Sequence, residues 1–556
     1  MYSRRHSANS QLATEHNDYG TFPRQPKGAK VHRAEEVASN WTRQYFAIFF
    51  VFLVLALQEQ ISGNLMPYIT SSFGQHGLLS TVFVGSSTVS AVSKLPIAKI
   101  VESWGDHSTY LTMVFLCVMG MMIIPLSPNI WIFALVKVIC SVGDNSITYL
   151  IDIALIRGSS LQQRAWFLAL AASPYLIASG IAPPIAERFL GKSRFLWGFT
   201  TLALATLISC VSMSSFIFRP TGSLIGIILF TLSLLVTLLP LSFLGSLSHG
   251  QVALHIAASL ASSLCFCAWE YQSKSDCVFP AYLLQSRTVL LGCLTGFGLW
   301  MSFFFHDNFL SSYLQVAYGL TLTDAGYAGA LYNVMSCVGA LVSGLYALRY
   351  GRIKPLAVIG VLLQAISILL MFWPVRSEMA VPCVILGQVI CGLSGGILMY
   401  SGQTIAMAAA KKMPAKMQHH HYGAISAESD PEIHPAAASK ADEIVSLALV
   451  NLCDSIGSSI GQSLTGFIYS SLMPRLLRHY LPEDTRHQWG HIYSSIKVQL
   501  HWPIGSKTRG AISHAFVDTW WYLCAVSFTA VLSLIPCVLC WEDINLPELD
   551  RKGDES

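Results

Sequence analysis

Long apolar runs separated by short polar connections dominate this chain. A membrane helix needs about 20 mostly apolar residues. By that measure the pattern predicts about fourteen spans. Their centres fall near Leu55, Thr88, Leu116, Val142, Leu176, Leu204 and Thr231, then Ala261, Trp300, Met335, Leu362, Cys391, Gly457 and Phe528. The spans around Leu55 and Gly457 are the most polar. Lipid offers polar groups no partner, so these two are expected to face a bundle interior. Residues 1–43 are polar and read as a disordered cytosolic tail.

The stretch Lys137–Pro184 organises the rest. Two apolar segments flank a short connection carrying Arg157 and Arg164. The first holds Asp144 and Asp152; the second holds Pro174, Gly180 and Pro183–Pro184. A carboxylate inside an apolar span is costly and usually faces a watery cavity or another charge. Prolines inside a span free backbone groups that neighbouring helices must satisfy. Together they predict helices lining a polar route.

Composition narrows the class. The chain has 556 residues, 53% hydrophobic and only 12% charged, whereas ordinary soluble domains carry about 25% charged residues. Mean hydropathy is +0.53. The net charge of +4 is small and points away from nucleic acid. No zinc spacing, Gly-Lys-Ser/Thr phosphate loop or nucleotide-binding pattern is present. An enzyme is therefore not expected, nor any cofactor or metal. Most of the 14 cysteines fall in apolar spans and read as small buried residues rather than a disulfide frame.

Basic loops set the expected orientation. With the N-terminus in the cytosol, inner loops hold Lys99, Arg157, Arg164, Arg219, Lys274, Arg287, Arg349, Arg352 and Lys354. Short outer loops hold only Arg188, Lys192, Arg194 and Arg376, although the long outer loop 474–518 is also basic. The inner stretches Pro96–Asp106 and Leu345–Lys354 resemble one another, which suggests duplicated halves. The boundaries expected are an N-terminal six-helix half over 44–218, two additional spans over 219–287 and a C-terminal six-helix half over 288–540. The last includes an inner loop at 411–442; a cytosolic tail follows at 541–556.

Five carboxylates could carry a proton or polarise a central site: Glu59, Asp144, Asp152, Asp307 and Asp454. At 1.5 Å per residue, Asp454 lies roughly 15–20 Å into its span, near the midplane. Glu59 falls in the middle or outer part of its span, Asp144 in the inner half and Asp152 near the inner end. Asp152 has an equally good structural reading as a salt bridge to Arg157 or Arg164. Asp307 could line an entrance or simply cap a helix. The inner-loop triplet His419–His421 reads as solvated rather than metal-binding.

Several motifs carry a resemblance. They are Ser71–Ser80, Pro96–Lys99, Ser311–Val316, Ala325–Tyr327, Ile456–Gly461, His479–Pro482 and Trp502–Phe516, with Asp152, Arg164, Pro174 and Pro183 between them. On these the chain, from about Tyr45 to Leu549, resembles the major facilitator superfamily, in particular its fourteen-span fungal siderophore–iron transporters. The stretch WPIGSKTRGAISHAF at Trp502–Phe516 is the most specific. The resemblance implies an all-α polytopic membrane fold of two six-helix halves plus two extra spans. It implies import of a ferric siderophore chelate, with protons as the coupling ion, by a monomer in the lipid bilayer. The plasma membrane is the expected location, with endosomal or vacuolar membrane as alternatives. A proton-coupled exporter of a secondary metabolite or peptide would use the same fold.

The resemblance also marks departures. The gating-loop motif reads Glu102 and Gly105 followed by Asp106, where relatives place a basic residue; Gly351 and Arg352 form its second copy. Lys137 stands where the fourth-span motif begins with arginine. Ser439–Asp442 reads SKAD where the family has Ser-His-Gln-Asp. In the last outer loop, Tyr480, Tyr493, Trp502, Arg509 and Phe516 are expected to offer aromatic and cationic contacts to an incoming chelate. An interfacial aromatic belt is the competing reading.

Overall fold

The computed structural model describes residues 27–74, 79–104, 106–157, 159–190, 192–213, 249–272, 283–372, 379–413 and 435–555. It divides into two units, Met1–Phe46 and Ala47–Ser556. In the first, the described residues are the start of a helix; everything below concerns the second.

The described residues form helices and no strand. In chain order they are α1 (Lys27–Ser72), α2 (Leu79–Trp104), α3 (Asp106–Ile123), α4 (Ile130–Arg157), α5 (Leu161–Ala172), α6 (Tyr175–Arg188), α7 (Lys192–Met213) and α8 (His249–Gln272). There follow α9 (Arg287–Asp307), α10 (Leu310–Tyr318), α11 (Leu322–Tyr350), α12 (Lys354–Phe372), α13 (Ala380–Lys411) and α14 (Pro435–Tyr480). Three short helices, α15 (Glu483–Arg486), α16 (Trp489–Ser494) and α17 (Ile496–His501), fill the long outer loop. The chain ends with α18 (Lys507–Leu539) and α19 (Leu546–Glu555).

Among the described residues, 10 helical stretches are long and apolar enough to cross a membrane. Of the remaining expected centres, Thr88 lies on α2, Leu204 on α7 and Ala261 on α8, while Thr231 lies outside the described residues. The break between α5 and α6 falls at Ser173–Pro174, as the prolines predict.

Packing separates two bundles. In the first, α3 lies on α4 and α7, and α2 lies on α4. In the second, α9 lies on α13, α14 and α18, while α13 lies on α11 and α12. Small residues let these helices approach closely, the usual device where lipid removes any hydrophobic drive for association. A Cβ at Gly457 would stand 2.0 Å from the Phe297 carbonyl, and one at Gly396 would stand 2.0 Å from that of Ser336. Gly143 does the same work between α4 and α3, 2.6 Å from the Met113 carbonyl.

The bundles meet along two seams. α2 crosses α14, and α5 and α6 cross α11. Here "inner" and "outer" name the ends that the basic loops predict. At the inner end Arg164 forms an ion pair with Glu443, both essentially buried, and its Nη2 donates to Ser159 O at 3.4 Å. Gln162 Nε2 donates to Leu348 O at 2.8 Å. At the outer end the Tyr68 hydroxyl donates to Gln315 Oε1, and Thr323 donates to Glu187. Ile496 N donates to Ser71 Oγ at 3.1 Å, tying the long outer loop to the end of α1.

The C-terminal segment folds back on the inner end. Trp541 and Leu546 are buried. Leu546 N donates to Gly351 O at 2.9 Å, and Lys354 Nζ donates to Trp541 O at 2.7 Å. Gly351 ends α11 with φ 66°, and a Cβ there would meet Pro547 Cδ at 2.5 Å. α19 then lies against α5 of the first bundle. Gly351 and Arg352 thus seat the tail. Glu102's side chain and Gly105 lie outside what is described.

Candidate functional site

A cavity of about 580 Å³ lies between the bundles. That is within the range of small-molecule sites, about 300–1,000 Å³. All five carboxylates expected from sequence line it, although they come from α1, α4, α9 and α14. Each reaches the cavity for a local reason. The α4 residues Asp144, Thr148 and Asp152 are four apart and share one helix face. Asp307 closes the last turn of α9, and Asp454 lies about 18 Å beyond Asp442 on α14.

Two lysines that the sequence reading did not single out for this site join them. Lys94 of α2 lies within electrostatic reach of Asp152 and Asp454, and its Nζ donates to Asn451 O at 3.2 Å. Lys137 of α4 lies within reach of Asp144, which also feels Glu59, and its Nζ donates to Ser62 Oγ at 3.4 Å. Asp307 in turn feels Glu59. Glu59 accepts from the Tyr175 hydroxyl, so α1 and α6 share a polar contact at the cavity wall.

Of the two salt-bridge partners expected for Asp152, Arg164 pairs instead with Glu443 across the seam, and the side chain of Arg157 lies outside what is described; Asp152 lies within electrostatic reach of Lys94. Asp454 is 6% exposed, and its Oδ1 has no hydrogen-bond partner among the described residues. The helix opposite is shaped to admit it: a Cβ at Gly296 would stand 1.9 Å from that oxygen. The apolar side of the cavity carries Trp300, stacked on Phe304 at 5.8 Å, and its Nε1 also has no partner among the described residues.

The outer loop requires a correction. Arg509 is buried, and its guanidinium is committed to backbone carbonyls: Nε to Val316 O at 2.9 Å, Nη2 to Gln315 O at 2.9 Å and Nη1 to Gln499 O at 2.7 Å. Its Nη1 also approaches Trp502 O at 3.5 Å. A planar fork with its donors occupied is a strut, not a contact surface for a ligand. Phe516 is likewise buried, packed on Tyr469. The three remaining expected residues are more open. Tyr480 is 37% exposed and donates to Asp518 at 2.6 Å. Tyr493 stacks near Tyr469, and burial pushes its phenol up to about 12, so it stays neutral at physiological pH. Trp502 is half-buried beside the exposed turn at Pro503–Gly505, where Gly505 has φ 90°.

The strut explains the loop motif. Arg509 joins the Trp502–Phe516 stretch to Ser311–Val316, and Ser513 Oγ adds a bond to Val316 O at 3.2 Å. Gln315, held in this way, is the partner of Tyr68 across the bundles. Gly326, from Ala325–Tyr327, approaches Pro183, and Tyr327 donates to Gly180 O at 3.4 Å. Gly457 and Gly461 of Ile456–Gly461 seat α14 on α9. Several of the motifs are thus contacts between elements. His419–His421 lies outside the described residues.

Comparison with known proteins agrees with this architecture. The family model described as Major Facilitator Superfamily matches residues 48–427. "MFS siderochrome iron transporter 1" of Ajellomyces capsulatus is 28% identical, over 94% of this chain and 90% of the relative. "Siderophore iron transporter 1" of Schizosaccharomyces pombe is 26% identical, over 84% of this chain and 76% of the relative. Among solved structures, an inward-facing, occupied bacterial homologue of the human lysosomal transporter Spinster aligns with TM-score 0.56 at 11% identity, covering 92% of this chain and 97% of that one. The proton:xylose symporter XylE aligns with TM-score 0.54 at 9% identity, covering 93% and 99%.

Proposed function

The chain belongs to the Major Facilitator Superfamily, and from that premise we propose that it carries ferric siderophore chelates across the membrane, inward and together with protons. It is a membrane transporter rather than an enzyme. The observation that carries the cargo assignment is the match along 94% of the chain to relatives named as siderochrome iron transporters.

The geometry supplies the physics such transport needs. A central site must open to one side at a time, with an ion biasing the two states. Inward release breaks the inner contacts, Arg164–Glu443 and Gln162 to Leu348 O, while the outer ones hold. Outward capture breaks Tyr68–Gln315 and Ser71–Ile496 while the inner ones hold. Asp454 is the first choice for the coupling proton. It is buried, has an oxygen with no hydrogen-bond partner among the described residues and lies within electrostatic reach of a lysine from the other bundle. Protonation there weakens a charge–charge link between the bundles, which couples proton loading to their relative motion. Tyr480, Tyr493 and Trp502 remain the surfaces for first contact with a chelate. We place the protein in the plasma membrane as a monomer.

The test is uptake of a radioiron-labelled ferric siderophore by iron-starved cells with and without this protein. Saturable uptake that requires the protein supports the reading. No difference between the two cell lines, at confirmed surface expression, refutes import of that chelate. Loss of preloaded label in its place would assign export.

A further inference from the structure

We propose that α19 is a strap on the inner gate: carried by the second bundle and resting on the first, it holds the inner end closed until it peels away. This rests on the two-state transport reading above and adds a regulatory element to it, whatever the cargo.

The segment after α18 has two parts with different holds. Residues 541–547 form a seat. Trp541, Ile544 and Leu546 are buried there. Four helices of the second bundle grip this stretch. Glu542 N donates to Thr288 Oγ1 of α9 at 3.3 Å, and Leu546 N donates at 2.9 Å to the carbonyl of Gly351, the cap of α11. Lys354 Nζ of α12 donates to Trp541 O at 2.7 Å, and Lys412, the cap of α13, forms an ion pair with Glu542. Pro547 and Asn545 close over Gly351, where a Cβ would stand 2.5 Å from Pro547 Cδ and 3.3 Å from Asn545 Oδ1. Buried apolar area and main-chain hydrogen bonds make the seat a fixed part of the second bundle.

The overhang beyond Pro547 differs. Its sequence, ELDRKGDE at 548–555, has one large apolar side chain, Leu549. Leu549 is half-buried, while Glu548 and Arg551 are exposed. α19 lies against α5 of the first bundle as well as α13 of the second. α5 is also the helix that makes the inner seam, through Gln162 to Leu348 O and Arg164 to Glu443.

Opening the inner end parts α5 from α11 and α14, and it must part α5 from α19 as well. The seat is apolar and buried, whereas the overhang is polar. α19 therefore stays with the second bundle and releases α5. A contact present in one state and absent in the other shifts their balance by its own free energy. The strap thus favours the closed inner end, and lifting it favours inner opening.

The outer end has a counterpart. The loop before α18 ties to α1 through Ile496 N and Ser71 Oγ at 3.1 Å. α18 has 33 residues, so about 50 Å of helix separates the two ties. They hold opposite states, which makes the outer tie a readout that α19 cannot touch directly.

Hydrogen exchange followed by mass spectrometry, on the purified protein in nanodiscs, reads both ends without any cargo. The full chain is compared with a form ending at Pro547, which keeps the seat, and with Gly351→Asn. Asparagine tolerates the left-handed cap, but its Cβ would collide with Pro547 and lift the segment. Both variants are expected to speed exchange several-fold at 161–168 and to slow it several-fold at 492–500, because a population moved toward inner opening spends less time open outside. Faster exchange at 161–168 with 492–500 unchanged would overturn the proposal, since α19 would then only shield α5. Unchanged exchange at both segments would overturn it too. Loss of the folded protein on truncation at Pro547 would also do so, by making α19 a structural part of the fold. None of these results touches the cargo assignment. Exchange at both segments as slow as in the helix cores, in all three forms, would overturn the two-state reading and the strap with it.

Discussion

Asp454 and Gly296 form a matched pair at the residue scale. The carboxyl occupies the space a side chain on α9 would fill, with 1.9 Å between Oδ1 and an ideal Cβ. The sequence could expose Asp454, because a carboxylate deep in an apolar span stands out. It could not expose Gly296, Lys94 or Lys137 as partners, because their roles exist only once α2, α4, α9 and α14 come together. Asp454→Asn keeps the shape and removes the titratable charge. Surface delivery is expected to be retained, with concentrative uptake much reduced and its pH dependence flattened; normal uptake at every pH would remove Asp454 from coupling. Arg509 teaches the opposite lesson. An arginine in an aromatic loop reads as a ligand contact, yet composition cannot tell which side chains turn inward. With its donors on backbone carbonyls, Arg509→Ala is expected to cost about 1–3 kcal/mol of stability for each buried carbonyl left without a donor. Arg509→Lys should rescue little, since a point charge cannot reproduce the fork. Trp502→Ala, beside an exposed turn, is expected to keep expression and weaken chelate binding by about 1–3 kcal/mol. Thermal unfolding in detergent and binding at low temperature separate the two outcomes. Unchanged melting of Arg509→Ala would refute the strut.

At the scale of elements, the helices were largely legible because each long apolar run must satisfy its backbone internally. The broken α5–α6 pair was announced by Pro174, and the polar faces of α1 and α14 by their composition. The C-terminal tail was not legible. Its short polar sequence reads as a free cytosolic end, yet Trp541, Ile544 and Leu546 are buried against the inner end of the second bundle. The gating-loop copy at Gly351–Arg352 acts there as the seat for Pro547 and Asp543. Burial of a large aromatic predicts that Trp541→Ala lowers stability by about 3–5 kcal/mol. The Arg352–Asp543 pair is open to solvent on both sides, so Arg352→Ala is expected to change stability by no more than about 1 kcal/mol. Melting curves of the two variants in detergent check the contrast. Equal shifts would mean that the tail is held by charge and not by packing.

For the whole molecule, the proposed reading makes the inner and outer contacts two gates around the cavity, with a cation from α2 reaching across to α14. Family and architecture were readable because several of their motifs are contacts between elements, within the second bundle as Arg509 with Val316 and across the seam as Gly326 with Pro183. The placement of lysines among the cavity carboxyls was hidden, since it depends on residues more than 300 positions apart in sequence, as Lys94 and Asp454 are. The orientation expected from the basic loops remains a proposal. An epitope inserted after Ser426 is expected to be detected only in permeabilised cells; detection on intact cells would reverse the assignment of inner and outer ends.

The most direct measurement follows chelate and iron together. The purified protein is placed in liposomes and offered a neutral ferric trishydroxamate labelled both on the iron and on the organic chelator, with a proton gradient imposed inward. Both labels are expected to accumulate in constant ratio, above the external concentration, and to lose that accumulation when the gradient is collapsed. Entry no faster than into protein-free liposomes would contradict the account, as would entry of iron without its chelator.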